Sequence, residues 1–290
     1  LKTYCQTSLG ERDNIMQKTV FITGSTDGIG LETARMLASQ GHHVLLHGRN
    51  PAKLDKVERT LSGLTDGGRV ESYVADLSSM AEVEALARLV AKQHASLDVL
   101  INNAGVYKAP GIITKDGLDV RFAVNTIAPY LLTQRLLPLL ESSGRVVNLS
   151  SAAQAPVDTE ALTGRVRLTD DYEAYAQSKL AITMWSRHIA LALKENGPVF
   201  IAVNPGSLLG TKMVKEGFGV AGKDISIGAE ILVRAALSDE FETASGEYFD
   251  NDTGQFASPH RDVLNAKKSE RIVRAIETAL AESGHPCPFV

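Results

Sequence analysis

Cysteine is nearly missing from this chain: among 290 residues only Cys5 and Cys287 occur, each close to a terminus. That excludes a disulfide framework and makes a reducing compartment the expectation. A basic excess is missing too. With 30 Lys and Arg against 34 Asp and Glu, the formal charge is −4, so the chain cannot neutralise a phosphate backbone and no nucleic-acid partner is expected. No apolar run reaches the ~18 residues of a membrane helix. The strongest candidate, Pro129 to Leu140, is interrupted by Gln134, Arg135 and Pro138, which predicts no membrane association and a cytoplasmic location. A signal-peptide pattern is also lacking. The polar stretch Leu1 to Ile15 runs up to Met16 and reads as an N-terminal extension, residues 1–16, either preceding a start at Met16 or appended to the domain. There is no Pro/Ser-rich linker and no repeat to divide the remainder.

What is present is an alternation. Short β-rich apolar runs, Thr19–Thr23, Val44–His47, Val70–Ala75, Leu97–Asn102, Arg145–Ser150, Val199–Asn204 and Glu247–Asp250, are separated by longer amphipathic stretches of helical spacing. Strands alternating with helices require a parallel sheet covered on both faces. The unbroken apolar character of Val44-Leu45-Leu46 and Val99-Leu100-Ile101 suits strands buried on both sides. The expected fold is α/β, a single-domain doubly wound parallel sheet (Rossmann fold) over residues 17–290. Two stretches break the pattern, 152–170 and 206–226. Both read as loops at the C-terminal ends of strands, where open parallel sheets bind ligands.

The first strand runs straight into Thr23-Gly24-Ser25-Thr26-Asp27-Gly28-Ile29-Gly30, after which Leu31 to Ser39 has helical spacing. In a strand, turn and helix of this kind, Gly24 allows the tight turn, Gly28 lets backbone approach a pyrophosphate and Gly30 lets helix and strand pack closely. The helix N-terminus then faces the negative charge. The turn from Gly24 to Gly30, with Ser25, Thr26, Asp27 and Ile29, is therefore a candidate dinucleotide cradle. The end of the second strand, His47-Gly48-Arg49-Asn50, holds no carboxylate to bond a ribose 2′-hydroxyl and repel a 2′-phosphate. Arg49 offers a planar cationic fork instead, so NADP(H) is favoured over NAD(H), with Arg49 and Asn50 at its 2′ end. Asp27 stands where a basic residue would have strengthened that preference. Asp76 and Leu77, after the third strand, are placed to edge an adenine; Asn103, Ala104 and Gly105, after the fourth, to line a nicotinamide. Each of these also has an ordinary reading as a turn residue.

Asp170 and Glu173 have capping-box spacing, and Tyr175 and Lys179 follow four apart on one helix face. A phenol titrates near ~10, so acid–base work near neutrality requires its phenolate to be stabilised by about 3–4 kcal/mol. A neighbouring ammonium contributes to that, and Lys179 can also hold ribose hydroxyls. Ser151, ending the fifth strand in Asn148-Leu149-Ser150-Ser151, can donate a hydrogen bond to a substrate oxygen as Tyr175 delivers its proton. Asn125 is placed to hold a water that connects Lys179 to solvent.

In this order the sequence resembles the short-chain dehydrogenase/reductase family, whose pattern of Thr-Gly-x-x-x-Gly-x-Gly, Asn-Asn-Ala-Gly, Ser and Tyr-x-x-x-Lys is matched from Thr23 to Lys179. The resemblance covers nearly the whole chain. It implies an oxidoreductase with an Asn125, Ser151, Tyr175 and Lys179 tetrad. It also implies cofactor contacts from Pro205 and Gly206, within Asn204-Pro205-Gly206, and from Thr211. The long stretch between Ser151 and Tyr175 is similar to the retinol-dehydrogenase and carbonyl-reductase-like branch. Members of that branch are often membrane-anchored, but no anchor is visible in this sequence, so neither a retinoid substrate nor a membrane address is carried over.

Other readings fit less well. His42, His43 and His47 enter a strand, where consecutive side chains point to opposite faces, and no set of metal ligands is completed. No Gly-x-Ser-x-Gly elbow surrounds Ser151, against a serine hydrolase. Reduction of a conjugated double bond, as in the similar protochlorophyllide reductases, lacks the expected Cys between Cys5 and Cys287, and a cofactor sensor without turnover would need a damaged tetrad. The substrate pocket is expected from Ala152 to Val157, Tyr107 to Ile113 and the 206–226 lid. That lining suits a small, apolar carbonyl or alcohol, although Lys212, Lys215 and Lys223 leave an anionic one open. Helices around Gly117–Leu137 and Tyr172–Asn196 are the expected pairing faces of a homodimer or homotetramer.

Overall fold

Alternation of the side chains of β1, Thr19–Ile22, sets the architecture: Val20 and Ile22 point to one face of the sheet and Phe21 to the other, and all three are wholly buried. A computed structural model of the chain describes residues 16–64 and 68–288; of the extension expected over 1–16, residues 1–15, with Cys5, lie outside the described residues. The chain continues through α1 (Gly28–Ser39), β2 (His43–Gly48), α2 (Pro51–Ser62), β3 (Val70–Val74), α3 (Met80–Gln93) and β4 (Leu97–Asn102). It then forms α4 (Val120–Phe122), a π segment (Ala123–Ile127), α5 (Ala128–Leu136), β5 (Leu140–Leu149), α6 (Thr159–Leu162), α7 (Asp171–Leu193) and β6 (Val199–Asn204). The last elements are α8 (Lys212–Phe218), α9 (Ser226–Leu237), β7 (Tyr248–Asp250), β8 (Gln255–Ala257) and α10 (Ala266–Glu282).

The strands form one eight-stranded sheet in the order β3-β2-β1-β4-β5-β6-β7-β8, parallel throughout except for β8. Helices α1, α2 and α9 cover the Val20 and Ile22 face, and α3, α5, α7 and α10 cover the Phe21 face. This is the doubly wound Rossmann arrangement expected from the alternation. Strand order reverses between β1 and β4, and a crevice opens beyond their C-terminal ends.

Four local differences from the sequence reading have physical causes. The 206–226 stretch is not a plain loop but carries the seven-residue helix α8, and 152–170 contains the single turn α6. Both are too short for their periodicity to register. The helix expected around Gly117–Leu137 contains a π segment, marked by an Ala128 N–H that reaches back to Ala123 O. Pro129, just beyond, has no N–H to donate to the carbonyl four residues earlier, which is that of Asn125. Finally, one side of the helices expected to pair between copies is taken up within the chain. Ile272, Ile276 and Leu280 of α10 pack into the same core as Tyr130 of α5 and Trp185 and Ile189 of α7, and the Tyr130 hydroxyl donates to Glu277 at 3.0 Å.

Among the described residues no helix is long and apolar enough to cross a membrane and no cluster of His, Cys, Asp or Glu could hold a metal ion. Cys287 is a buried free thiol.

Candidate active site

The turn after β1 is built around contacts that only glycine permits. Gly24 has φ +66° and Gly28 φ +55°, and a Cβ on Gly24 would lie 2.9 Å from Ala104 Cα. A Cβ on Gly30 would collide with Asn103 Nδ2 and Gly24 O. Asn103 occupies that space because its amide ties the turn down, donating to Thr23 O at 2.8 Å and Gly24 O at 3.0 Å. Asp27 caps α1, its carboxylate accepting from Gly28 N at 2.8 Å. The turn leads into the N-terminus of a twelve-residue helix, where free N–H groups and the helix dipole favour an anion.

His47 was weighed in the sequence only as a metal ligand, and the structure gives it another task. It is 2% exposed, accepts from Gly24 N through Nδ1 at 3.1 Å and reaches Ala75 O through Nε2 at 3.1 Å. Those partners require the neutral ring with its proton on Nε2, and burial pushes its pKa down to about 4. Its partners lie 23 and 28 residues away, so spacing gave no signal.

The catalytic candidates converge on the other side of the crevice. Lys179, 4% exposed, donates from Nζ to Leu149 O at 2.7 Å, and burial lowers its pKa to about 8. Its ammonium lies 5.8 Å from the centre of the Tyr175 ring. Tyr175 is half-buried, and burial raises its pKa, with a hydrogen bond to Ser151 opposing the rise. Ser151 accepts from Ala153 N at 3.1 Å, which fixes the hydroxyl at the end of β5. Asn125 sits in the π segment, 1% exposed, with its Oδ1 accepting from Val106 N at 2.8 Å and its Nδ2 donating to Val106 O and Ser178 Oγ, each at 2.9 Å. Both donors are thereby engaged. The side chain holds the loop after β4 against α7.

One cleft of about 1050 Å³ runs between these two halves. Thr26 and Ile29 line it with the glycines and Asp27, Arg49 projects from the end of β2, and Asp76 and Leu77 follow β3. Asn103, Ala104 and Gly105 line it as well, as do Ser151, Tyr175 and Lys179. Pro205 and Gly206 bound it after β6, and Thr211 after them caps α8 by accepting from Val214 N at 3.2 Å. Two expected contacts do not reach it. Ser25 is fully buried and extends the pairing of β1 with β2, exchanging hydrogen bonds with the His47 backbone at 2.9 Å in each direction. Asn50 caps α2, accepting from Lys53 N at 3.0 Å.

Sequence reasoning also missed the residues that hold the Pro205 loop in place. Asn251 Nδ2 donates to Pro205 O at 3.0 Å, and Asn204 Nδ2 donates to Asp250 Oδ1 at 2.8 Å and Asp252 Oδ2 at 2.9 Å. It missed Arg121 as well. This side chain, 1% exposed, forks onto Asp119 at 2.8 and 2.6 Å and pairs with Asp171 in the first turn of α7, the helix that carries Tyr175.

An anion cradle at one end of a cleft and a hydroxyl, phenol and ammonium on its far wall are what hydride transfer involving a dinucleotide requires, and they define the class as a Rossmann oxidoreductase. The chain belongs to the short chain dehydrogenase family, whose family model matches residues 18–219, and within it to the retinol-dehydrogenase-like branch; such oxidoreductases act on alcohol or carbonyl groups. It is 32% identical over 263 residues to retinol dehydrogenase 13 of Mus musculus, covering 84% of this chain and 79% of that protein. A solved structure of an uncharacterised protein from Mycobacterium paratuberculosis superposes with a TM-score of 0.77 at 27% identity, over 94% of this chain and 96% of that one. A short chain dehydrogenase from Shigella flexneri, solved in complex with NADP, gives a TM-score of 0.65 at 26% identity, over 83% and 99%.

Proposed function

We propose that this protein transfers a hydride between NADP(H) and an apolar carbonyl or alcohol, with Tyr175 exchanging the proton at the substrate oxygen and reduction as the favoured direction. The observation that carries the proposal is the meeting of Ser151, Tyr175 and Lys179 on one wall of the cleft that starts at the glycine turn. The cradle fits a dinucleotide: Gly24, Gly28 and Gly30 keep side chains out of the space before the α1 N-terminus, and Asn103 and His47 fix the turn. The cofactor, when bound, supplies or accepts the hydride. Arg49, exposed at the cleft edge beside Gly48, supports the phosphorylated cofactor, and no carboxylate at the end of β2 opposes it. The solved relative complexed with NADP agrees with that choice.

In this reading Ser151 donates to the carbonyl oxygen and orients it, and Tyr175 donates its phenolic proton to the same oxygen as the carbon becomes tetrahedral. A phenol is protonated at neutral pH, the form reduction needs, and the burial that raises the Tyr175 pKa works in the same direction. Lys179 places its positive charge next to the phenolate that results. The test is NADPH oxidation with a panel of aldehydes, ketones, quinones, steroids and enones. Tyr175→Phe is expected to lower turnover by at least about 100-fold while NADPH still binds. Turnover near that of the unaltered protein would refute the assignment. Arg49→Ala is expected to raise the KM for NADPH much more than that for NADH; equal effects would refute the cofactor preference.

A further inference from the structure

We propose that Tyr107 is a specificity-determining residue, a ring wall that limits the substrate carbonyl to one small substituent, hydrogen or methyl, on the side facing the lid. The inference rests on the carbonyl chemistry proposed above and names the substrate class within it: aldehydes and methyl ketones with a single larger apolar arm. Tyr107 lies two residues beyond Gly105, in a loop that borders the cleft, yet it is only 9% exposed.

Its ring packs against two neighbours. One is Tyr175, edge to face at a centroid distance of 5.4 Å and an interplanar angle of 78°. The other is Gly217 of α8, where a Cβ would come within 2.7 Å of Tyr107 Cδ1 and Cε1. Gly217 does not have a positive φ, so the backbone has no need of glycine there, and glycine weakens a helix relative to alanine. What the missing methyl provides is room for the Tyr107 ring.

The lid that carries Gly217 is clasped at its base. Gly210 N donates to Lys223 O and Lys223 N to Leu208 O, both at 2.7 Å, and a Cβ on Gly222 would lie 2.6 Å from Gly210 Cα. Such a closed excursion holds α8 against Tyr107 as a unit. A carbonyl oxygen placed at Tyr175 and Ser151 therefore has an aromatic wall on one flank. Ala152 and Ala153, which follow Ser151, line the same cleft, and their small side chains leave it room for an apolar arm.

The test uses the full chain with NADPH and two probes, benzaldehyde with one arm and benzophenone with two, in a double-mutant cycle of Tyr107→Ala and Gly217→Ala. Tyr107→Ala is expected to raise the ratio of kcat/KM for benzophenone over benzaldehyde by about tenfold or more, with the KM for NADPH unchanged. Gly217→Ala is expected to press the ring inwards and depress turnover of both probes, and to have no effect once Tyr107 is alanine. A ratio that stays within about twofold in Tyr107→Ala, or an equal effect of Gly217→Ala in both backgrounds, overturns the proposal. Should Tyr107→Ala not fold, as judged by circular dichroism, Tyr107→Leu carries the same comparison. Failure of the underlying reading is distinct: the unaltered protein then binds NADPH and reduces no carbonyl at all.

Discussion

Replacing Lys179 with methionine is expected to make the protein more stable near neutral pH while abolishing its activity, and the pH dependence of the gain tests the reasoning. Lys179 is 4% exposed, and burial alone lowers its pKa from 10.5 to about 8. Carrying that charge into the fold therefore costs about 3 kcal/mol at neutral pH. Because the folded-state value lies below the unfolded one, the folded chain binds fewer protons over this range. The cost is present in full below about 8 and falls away as pH rises towards 10.5. Between about pH 7 and about pH 9 the protein should recover about 1.3 kcal/mol from this group. Methionine keeps the length of the side chain without the charge but leaves Leu149 O, now bonded at 2.7 Å, without its donor. That loss costs about 1–3 kcal/mol and does not vary with pH. Urea unfolding of both proteins at the two pH values gives the answer. The stability of the variant relative to the unaltered protein should fall by about 1.3 kcal/mol from the lower pH to the higher. A difference that does not change with pH would refute a buried, destabilising ammonium.

Two further outcomes follow from buried charge and its partners. Arg121→Met strips the partner from Asp119, which is 5% exposed, and should cost about 3–5 kcal/mol in thermal or urea unfolding; a loss below about 1 kcal/mol would mean that Asp119 is not desolvated as the structure shows. His47, with its pKa held at about 4 by burial, must charge in acid, so its contribution to stability is intact above 6.5 and is lost as pH falls towards 4, by about 3 kcal/mol in all. His47→Gln removes that titration, and melting temperatures measured across this range should fall less steeply for the variant than for the unaltered protein.

The sheet was legible in the sequence because its strands are buried on both faces. Val44-Leu45-Leu46 and Val99-Leu100-Ile101 are apolar without interruption and fully or nearly fully buried, so they stand out against amphipathic helices. The glycine turn and the Tyr175 and Lys179 pair were legible for a different reason: their geometry is set within eight residues of chain. What could not be read depends on distant partners or on very short elements. His47 looks like any strand histidine until Gly24 and Ala75 are brought to it. Ser25 looks like part of the cradle, and only the β1 and β2 register shows it turned inwards onto His47. The packing of α10 against α5 and α7 was equally hidden, because it joins segments far apart in the chain.

The opposed shifts of Tyr175 and Lys179 are the most informative about mechanism. Burial raises the Tyr175 pKa and lowers that of Lys179. Desolvation disfavours the charged form of each group, so it moves an acid and a base in opposite directions and leaves both closer to neutral. A site tuned in this way holds its proton on the phenol until negative charge appears on an adjacent oxygen, as happens when a carbonyl receives a hydride. At that moment the neighbouring Lys179 ammonium is worth more than it would be in water, because the low dielectric that penalised it also strengthens its attraction for the new charge. Oxidation in the reverse direction requires the phenolate first, so its rate should keep rising with pH beyond the point at which reduction begins to fall. Parallel pH dependences in the two directions would show instead that Tyr175 is not the group that gains and loses the proton.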